Sequence, residues 1–423
     1  MASGLSRRAF ISGAALSAAV GAGARGGSGL SKVLASTERS RDRALVVLFL
    51  RGGADGLSMV PPVGDAEYYR LRPTLALPGA DDRTAPVGSR AVPLDDRFGL
   101  HPSLRMLEGL YREGMLAVVH AVGSGDQSRS HFEAMAVMER GLSGTTDGPS
   151  SGWLARALEV GDSDGASPLR AIAFTDTMPD ILRGLSSASV MRSIADYRLR
   201  GDDGFRRSIQ TLYSRTYGDG SLAHLQAAGQ STLAVLDAIA SLSITSYRPA
   251  AGVTYPEGPV GNGLRQTACL IKGRVGLEVA FLDMTGWDTH VAQGRDSGWM
   301  PSRLSELGAA IRAFASDLGS ELDRVTCIVM TEFGRRVYEN GGLGTDHGRG
   351  SCMLVVGAGV NGGRVHGRWP GLAKHQLEPP GDLAVTSDYR SVLFEALMRT
   401  QGVRGARAAF PGYAHAPVGV IES

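Results

Sequence analysis

Ala44-Leu45-Val46-Val47-Leu48-Phe49-Leu50, followed directly by Arg51-Gly52-Gly53-Ala54-Asp55-Gly56, is the stretch that decides the fold class of this chain. Seven consecutive apolar residues ended by a glycine pair predict a central strand that is covered on both faces. Similar apolar runs recur at residues 116–119, 169–174, 277–282, 325–330 and 352–356, and segments with helical spacing lie between several of them. This alternation predicts an α/β fold with a mostly parallel central sheet and helices on both faces.

Side chains that can bind metals adjoin most of these runs. Asp55, Asp288, His290 and Glu332 follow their runs, whereas Asp346 and His347 precede the run at 352–356. The carboxyl ends of parallel strands share one edge of a sheet, so ligands that are distant in sequence can meet there in one crevice. The pattern therefore predicts a metal site at that edge.

Composition sets the outer limits on function. The chain has 423 residues, of which 43% are hydrophobic and 20% are charged, and its formal net charge is +2. This apolar content supports a large core, and the absence of a basic block beyond the first residues argues against a nucleic-acid partner. Residues 203–245 repeat leucines and isoleucines often at three-residue spacing, which predicts a helical insertion in the α/β domain.

The amino terminus has the pattern of an export signal. Ser6-Arg7-Arg8-Ala9-Phe10-Ile11 precedes a weakly apolar run of small residues, as in a twin-arginine signal. We expect a signal at 1–35, a folded domain at 36–423, the twin-arginine export machinery as a partner, and a periplasmic or secreted protein. Cleavage after Ala24 or Ala35 fits, and an uncleaved anchor or a chance arginine pair is the alternative. No later segment approaches about 18 unbroken apolar residues, so no membrane span is expected after signal removal.

The three cysteines are too few for a disulfide framework. Cys327 and Cys352 lie in or beside apolar runs, which favours inert core thiols over a catalytic or bridging role.

Five motifs in combination resemble the family catalogued as domain of unknown function 1501, over most of the chain after the signal. They are Arg51-Gly52-Gly53-Ala54-Asp55-Gly56, Ser130-His131-Phe132-Glu133, Gly286-Trp287-Asp288-Thr289-His290, Thr331-Glu332-Phe333-Gly334-Arg335 and Thr345-Asp346-His347-Gly348. The family is placed in the alkaline phosphatase and sulfatase superfamily, whose members hydrolyse phosphate or sulfate esters at one or two metal ions. The resemblance thus implies an alkaline phosphatase-like fold and one or two divalent ions.

The resemblance also implies roles for individual residues. Asp55 would hold one metal beside the nucleophile, Asp288 and His290 would hold the other, and His347 would complete the site. Two ions close together polarise a phosphoryl or sulfuryl oxygen and lower the pKa of a hydroxyl nucleophile. The alternative for these side chains is structural, as turn or loop residues held by local hydrogen bonds, since Asp-Gly and similar pairs are common in turns.

The remaining candidate residues each have two interpretations. Ser130 precedes a predicted helix and is the expected nucleophile, but with Glu133 it also forms a capping-box pattern. His131 is a candidate ligand or general acid, with a satisfied loop histidine as the alternative. Arg335 is expected to contact a substrate anion, and a structural ion pair is its alternative.

One departure from the superfamily pattern affects the metal count. Phosphatases and sulfatases usually place Asp-His after a late strand, whereas this chain has Glu332-Phe333 there. Either Glu332 and Asp346 replace that pair in a different or single-metal site, or the fold persists without hydrolysis.

The sequence as a whole predicts an exported metal-dependent hydrolase of phosphate or sulfate esters, acting on a small-molecule or polymer ester. A non-catalytic cell-envelope binding or structural protein is the main alternative. An oxidoreductase is disfavoured, because the chain has no cysteine cluster, haem-attachment motif or dinucleotide glycine fingerprint. Oxygen and nitrogen donors alone leave the identity of the ion open.

Overall fold

The computed structural model describes residues 43–160, 166–196 and 247–422, together with isolated positions between 204 and 239. The predicted signal at 1–35 and nearly all of the predicted helical insertion at 203–245 lie outside the described residues. Among the helices that are described, none combines the length and apolar composition that a membrane crossing requires.

A nine-stranded mixed sheet forms the centre of the described fold, with the strand order β10-β4-β9-β8-β1-β7-β5-β6 and β11 paired to β4. A separate two-stranded sheet joins β2 to β3. The strands are β1 (Ala44–Leu50), β2 (Val92–Pro93), β3 (Gly99–Leu100), β4 (Leu116–Gly123), β5 (Ala171–Phe174), β6 (Ala188–Val190), β7 (Val279–Met284), β8 (Val325–Thr331), β9 (Ser351–Val356), β10 (Val365–His366) and β11 (Ser387–Asp388).

The helices pack on both faces of this sheet, as the sequence predicts. The α-helices are α1 (Gly56–Met59), α2 (Ala66–Leu71), α3 (Glu108–Arg112), α4 (His131–Arg140), α5 (Trp153–Glu159), α6 (Pro259–Lys272), α7 (Trp299–Leu318), α8 (Tyr389–Thr400) and α9 (Gly402–Ala409). Short 3-10 helices span Val87–Ser89, Pro102–Leu107, Asp180–Leu182, Ile194–Asp196, Gly319–Arg324 and Lys374–Gln376.

Strand β1 shows why the fold has two cores. It is buried along its whole length and pairs in parallel with β7 on one side and β8 on the other. Val46, Leu48 and Leu50 enter the core that α6 and α7 cover, whereas the alternate residues enter the core that α5, α8 and α9 cover. The alternation follows from the two-residue period of a strand, and it confirms a central strand with both faces covered.

Strand β9 is antiparallel to both of its neighbours, β4 and β8. The carboxyl ends of β1, β4, β7 and β8 share one edge of the sheet, so the amino end of β9 lies at that same edge. This orientation explains how residues that precede β9 can join residues that follow the other strands. The sheet is therefore mostly parallel, as predicted. Its one long antiparallel strand, β9, helps to assemble the site.

Two segments differ from the sequence prediction. Pro102 with Leu104, Leu107 and Tyr111 on one face predicts a helix, but this segment begins as a 3-10 helix at Pro102–Leu107 and becomes α-helical only at α3. The segment at 61–100 is polar and rich in Pro and Asp, which predicts an excursion over the surface, but it contains α2 and the β2–β3 pair. The thiols of Cys327 and Cys352 are buried, as predicted, and burial raises the pKa of each to about 12.

Candidate metal centre

Three predicted site residues meet at the shared edge of the sheet. His131 begins α4 after β4, Asp288 follows β7, and His347 precedes β9. One ligand atom from each of these three side chains lies within 4.8 Å of the other two. Residues separated by more than two hundred positions in sequence therefore form a group of metal-ligand size.

His290 adjoins this group. Its Nε2 lies 2.9 Å from Nε2 of His347 and 3.1 Å from Oδ1 of Asp288. His347 Nε2 lies 3.1 Å from the same carboxylate oxygen, and His131 Nε2 lies 3.5 Å from Oδ2. The structure thus brings together Asp288, His290 and His347, as predicted, with His131 as a fourth member.

Each of the three imidazoles has a hydrogen-bond acceptor at Nδ1. The acceptors are Glu332 Oε1 at 2.7 Å from His131, Asp346 Oδ1 at 3.3 Å from His290, and the carbonyl oxygen of Arg129 at 2.9 Å from His347. We assign the ring proton to Nδ1 in each histidine, because each of these partners can only accept when the carboxylates are ionised. In the neutral form of each ring, Nε2 then carries no proton and has a free lone pair.

The three Nε2 lone pairs converge on a carboxylate, which is unfavourable unless a metal ion or added protons lie between them. His131 Nε2 is buried and has no hydrogen-bond partner. Metal-binding histidines typically donate their second ring N–H to a carboxylate or carbonyl, which fixes the ring and its tautomer. The cluster shows this arrangement three times, so its donors fit a bound metal ion.

The electrostatics of the cluster keep its acid ionised. Burial opposes ionisation of Asp288, but the Arg335 guanidinium, whose Nη2 donates to Oδ1 at 2.7 Å, helps to lower the pKa of this carboxyl to about 2. The hydrogen bond to Glu332 raises the pKa of His131, whereas burial lowers the pKa of His347. The Asp288 side chain is therefore an ionised carboxylate at any ordinary pH.

Glu332 and Asp346 lie behind the histidines rather than among the atoms that converge. Glu332 is fully buried and also accepts hydrogen bonds from Gly52 N–H at 2.8 Å and from the Thr331 hydroxyl at 2.9 Å. Asp346 accepts from Asn340 Nδ2 at 2.9 Å, which contributes to its lowered pKa. In this arrangement each of the two acids orients a histidine, and direct metal binding by either one stays a prediction.

Asp55 is the clearest departure from the predicted ligand set. Its side chain is fully buried against Arg72, whose guanidinium donates to both carboxylate oxygens at 2.5 and 3.0 Å. Ser58 and Gln293 add hydrogen bonds at 2.7 and 2.8 Å. These contacts lower the pKa of Asp55 despite its burial. Its lone pairs are already used, so the expected metal ligand is instead one half of a buried ion pair.

Arg335 forms a structural ion pair, which was the alternative to contact with a substrate anion. Its guanidinium is buried and donates to the carbonyl oxygens of Gly53 at 2.7 Å and Thr345 at 2.8 Å, and also to those of Gly52 and Trp287. Its remaining contact is the hydrogen bond to Asp288. Its donors are thus engaged by protein acceptors, which favours the structural interpretation, and contact with a substrate anion stays a prediction.

Ser130 occupies the N-cap position of α4, but its hydroxyl accepts no hydrogen bond from that helix. The capping box expected with Glu133 is therefore not formed. Ser130 precedes His131 directly, so its hydroxyl is held at the helix terminus beside the cluster. Its role as nucleophile stays a prediction.

Phe333 contributes to the site although it cannot bind metal. Its ring lies 4.9 Å from the His131 ring and 4.8 Å from the His347 ring, measured between centroids. A Cβ on Gly53 would come within 2.4 Å of the Phe333 ring, and one on Gly52 within 2.5 Å of the Asp288 nitrogen. The glycine pair after β1 thus lets the Phe333 wall and the Asp288 loop pack closely together.

Sequence analysis did not identify three supporting residues: Phe333, Asn340 and Arg129. Asn340 joins Asp346 to the carbonyl of His290, and Arg129 supplies the acceptor for His347. Arg129 has a φ of 54°, and its side chain forms an ion pair at 2.5 Å with the buried Asp382. Only Phe333 and Arg129 had a signal in sequence, because both lie in or beside the quoted motifs.

Comparison with solved structures gives distant likenesses. The PsFucS1 sulfatase from Pseudoalteromonas sp. is 11% identical, with a TM-score of 0.36 over 93% of this chain and 77% of that chain. The PH0037 protein from Pyrococcus horikoshii is 12% identical, with a TM-score of 0.24 over 75% of this chain and 86% of that chain. Both TM-scores are too low to support a conclusion about fold or activity, and no curated protein matches the chain. The model of one family, described as "Protein of unknown function (DUF1501)", matches residues 42–408, and the chain belongs to that family.

Proposed function

We propose that this chain is an exported metal-dependent hydrolase of phosphate or sulfate esters with an alkaline phosphatase-like fold. One observation carries the proposal: three histidines have their Nδ1 atoms engaged by acceptors and direct their Nε2 atoms toward the carboxylate of Asp288. This is the donor arrangement of a metal site, at the edge of an α/β sheet where ligands commonly bind.

His131, Asp288, His290 and His347 would hold one or two divalent ions. Imidazole-rich donor sets suit zinc and other first-row transition metals better than magnesium or calcium, which prefer oxygen donors. A bound ion would polarise an ester oxygen and favour ionisation of an attacking hydroxyl.

The side chains around the metal ligands have separate tasks in this proposal. The Ser130 hydroxyl, which caps no backbone group of α4, is available to attack the ester at the positive end of that helix. Glu332 fixes the ring of His131, and Phe333 shields one side of the cluster from water. Arg335 keeps Asp288 ionised and in place.

A non-catalytic binding protein of the cell envelope is the second candidate function. The observation that favours it is the ion pair of Asp55 with Arg72, because the resemblance to the alkaline phosphatase and sulfatase superfamily implies a metal ligand at Asp55. A chain that has lost this ligand can retain an ion without retaining turnover.

Export is proposed on the motif Ser6-Arg7-Arg8-Ala9-Phe10-Ile11, with a signal at 1–35, a mature domain at 36–423 and a periplasmic or secreted location. Arg7→Lys with Arg8→Lys is expected to leave the protein in the cytoplasm, where cell fractionation would detect it. Export of the doubly substituted chain at an unchanged level would count against the signal.

The first experiment measures metal. Elemental analysis of folded protein purified without chelator is expected to find about one or two ions per chain. Asp288→Asn should lose them, because asparagine preserves an oxygen for Arg335 but removes the ligand charge. Asp176→Asn, at an exposed ion pair with Arg192, is the matched control and should retain the metal. A parent protein without metal would reject the proposed enzyme.

The second experiment measures turnover of a panel of aryl phosphates and aryl sulfates by the metal-loaded chain. Ser130→Ala should abolish most activity while keeping the metal, whereas Ser302→Ala, in the first turn of α7, should not change the rate. An unchanged rate in Ser130→Ala would remove that residue as nucleophile. Metal without turnover of any ester would favour the binding protein.

A further inference from the structure

We infer that the ligand of the metal centre carries an apolar aryl or alkyl group beside its anionic group, and that Phe132, Val291, Trp299 and Leu343 receive it. We call these four side chains the apolar rim. The inference rests on the proposed function, because it names the substrate class of the same site.

Two members of the rim are direct sequence neighbours of cluster histidines. Phe132 follows His131 and is 85% exposed, and Val291 follows His290 and is 72% exposed. Consecutive Cα atoms are about 3.8 Å apart, so these apolar side chains are attached to the backbone beside the cluster histidines. A phenyl ring this exposed at the first turn of α4 contributes little to the core of the fold.

Leu343 lies next to Val291 because the loops that carry them are hydrogen-bonded. Ala292 N–H donates to the Gly342 carbonyl at 2.9 Å, and Gln293 N–H donates to the Leu343 carbonyl at 3.0 Å. Leu343 is itself more than half exposed and has a φ of 58°. A left-handed conformation costs a leucine about 1 kcal/mol that a glycine would not lose. An exposed leucine in this conformation, between Gly342 and Gly344, gains no burial to offset that cost, so a role in contact with a ligand accounts for it better.

Trp299 completes the rim on the side of Asp288. Its indole Nε1 donates to the carbonyl of Gly286 at 2.6 Å, and a Cβ on Gly286 would lie 3.1 Å from the indole ring. Gly286 precedes Asp288 by two residues, and more than half of Trp299 is exposed. The hydrogen bond fixes the indole to the loop that carries Asp288.

The distribution of exposed apolar side chains supports a site rather than chance. Four of the ten exposed large apolar side chains among the described residues belong to the rim. Two arginines that contact the cluster, Arg129 and Arg335, form ion pairs with Asp382 and with Asp288. Clustered apolar exposure beside a metal centre matches a ligand whose anion meets the ion and whose remainder is apolar.

Binding of non-hydrolysable anions tests the inference independently of turnover. The metal-loaded full chain would be titrated calorimetrically with 2-naphthylphosphonate and methylphosphonate, and with 2-naphthalenesulfonate and methanesulfonate. Within whichever pair binds more tightly, the phosphonates or the sulfonates, we expect the naphthyl anion to bind at least about tenfold tighter than the methyl anion. The naphthyl ring would remove apolar surface of the rim from water. Equal affinities of the naphthyl and methyl members would overturn the inference.

Matched variants locate the effect. Phe132→Ser should reduce the naphthyl-to-methyl affinity ratio by about fivefold and Val291→Ser by about twofold, with metal content unchanged. Val87→Ser is the control, because Val87 is 69% exposed in the Val87–Ser89 turn, away from the cluster. An equal reduction in Val87→Ser, or none in Phe132→Ser and Val291→Ser, would overturn the rim as the binding surface.

The outcomes separate this inference from the proposed function. A chain that binds metal and prefers naphthyl anions, but hydrolyses no ester, contradicts the hydrolase and supports the rim. A chain that hydrolyses esters with no preference for apolar groups contradicts the rim alone. Binding to phosphatidylcholine vesicles that Phe132→Ser abolishes, with an unchanged anion ratio, would overturn the inference in favour of a lipid surface.

Discussion

Asp55 and Asp288 follow neighbouring strands of the same sheet, β1 and β7, yet they have opposite surroundings. Asp55 is fully buried, and Arg72, Ser58 and Gln293 use its carboxylate oxygens. The side chain of Asp288 is 49% exposed and faces the Nε2 atoms of three imidazoles. The comparison shows that position at the edge of a sheet does not determine the role of an acid. The partners delivered by other segments determine it.

The segments that follow the two strands explain the difference. After β1 the chain turns inward into α1, which packs against β9 and takes Asp55 under the sheet edge. After β7 the chain passes through the buried Trp287, and Asp288 is exposed between α4 and the loop before β9. One acid is therefore available to stabilise the fold, and the other is available to bind a ligand.

The largest expected effect comes from breaking the buried pair. Asp55→Ala leaves the Arg72 charge buried without its partner, which should lower the free energy of unfolding by about 3–5 kcal/mol. Urea titration of the metal-free chain would measure the loss. Asp82→Ala, at an exposed acid that contacts Thr84, should change stability by less than about 0.5 kcal/mol. A loss below about 1 kcal/mol in Asp55→Ala would mean that the pair is not what stabilises this region.

Asp288→Asn should have the opposite profile to Asp55→Ala, with a large effect on metal affinity and a small effect on stability. We expect metal affinity to fall by about 100-fold or more, because a charged ligand is removed, while the metal-free chain changes stability by less than about 1 kcal/mol. Competition with a chelator would measure the affinity, and urea titration would measure the stability. A large loss of stability without the metal would show that Asp288 supports the fold as Asp55 does.

The acids behind the histidines provide a graded test. Glu332→Gln removes the buried carboxylate that fixes His131, and should weaken metal binding by about 10- to 100-fold. Asp346→Asn should weaken it by less, since the Asp346 carboxylate is partly exposed and lies 3.3 Å from His290. The same chelator competition applies to both variants. An Asp346 effect equal to that of Glu332 would contradict the ranking by burial.

The smallest effect is a change in pH dependence. The pKa of Asp55 is lowered in the folded chain, so its contribution to stability is present above its ordinary pKa of 3.8 and is lost as pH falls through the folded value. The stability difference between the parent and Asp55→Asn should therefore be constant near about pH 5 and should narrow toward about pH 3. Urea titrations across this range would check it, and a difference that widens with acid would reverse the assigned sign.

The sequence predicted most of the sheet and half of the site, for identifiable reasons. Apolar runs mark strands that are covered on both faces, so β1, β7, β8 and β9 were found with small errors at their ends. Asp288, His290 and His347 were grouped correctly because each one adjoins such a run. These inferences needed only local pattern and the geometry of a parallel sheet.

The expectations that the structure does not support concern side chains whose partners come from distant parts of the sequence. Arg72 lies in the segment read as a surface excursion, and nothing in its local sequence indicates that it pairs with Asp55 in the core. Arg335 was expected to contact a substrate anion, since the carbonyl oxygens that engage its guanidinium come from three separate loops and leave no local signal. Residue type indicates what a side chain can do, and its neighbours across the fold decide whether it is available to do it.

The order of the proposed ligands along the chain has a consequence for how an ion would be acquired. His131 is the only one of the four that a growing polypeptide contains until synthesis passes Asp288, and the last, His347, emerges when most of the chain has been made. No amino-terminal fragment that stops short of it holds the complete donor set. Uptake of an ion at the proposed site would therefore require the chain up to His347, and a shorter product would be distinguishable from the finished protein by its metal content.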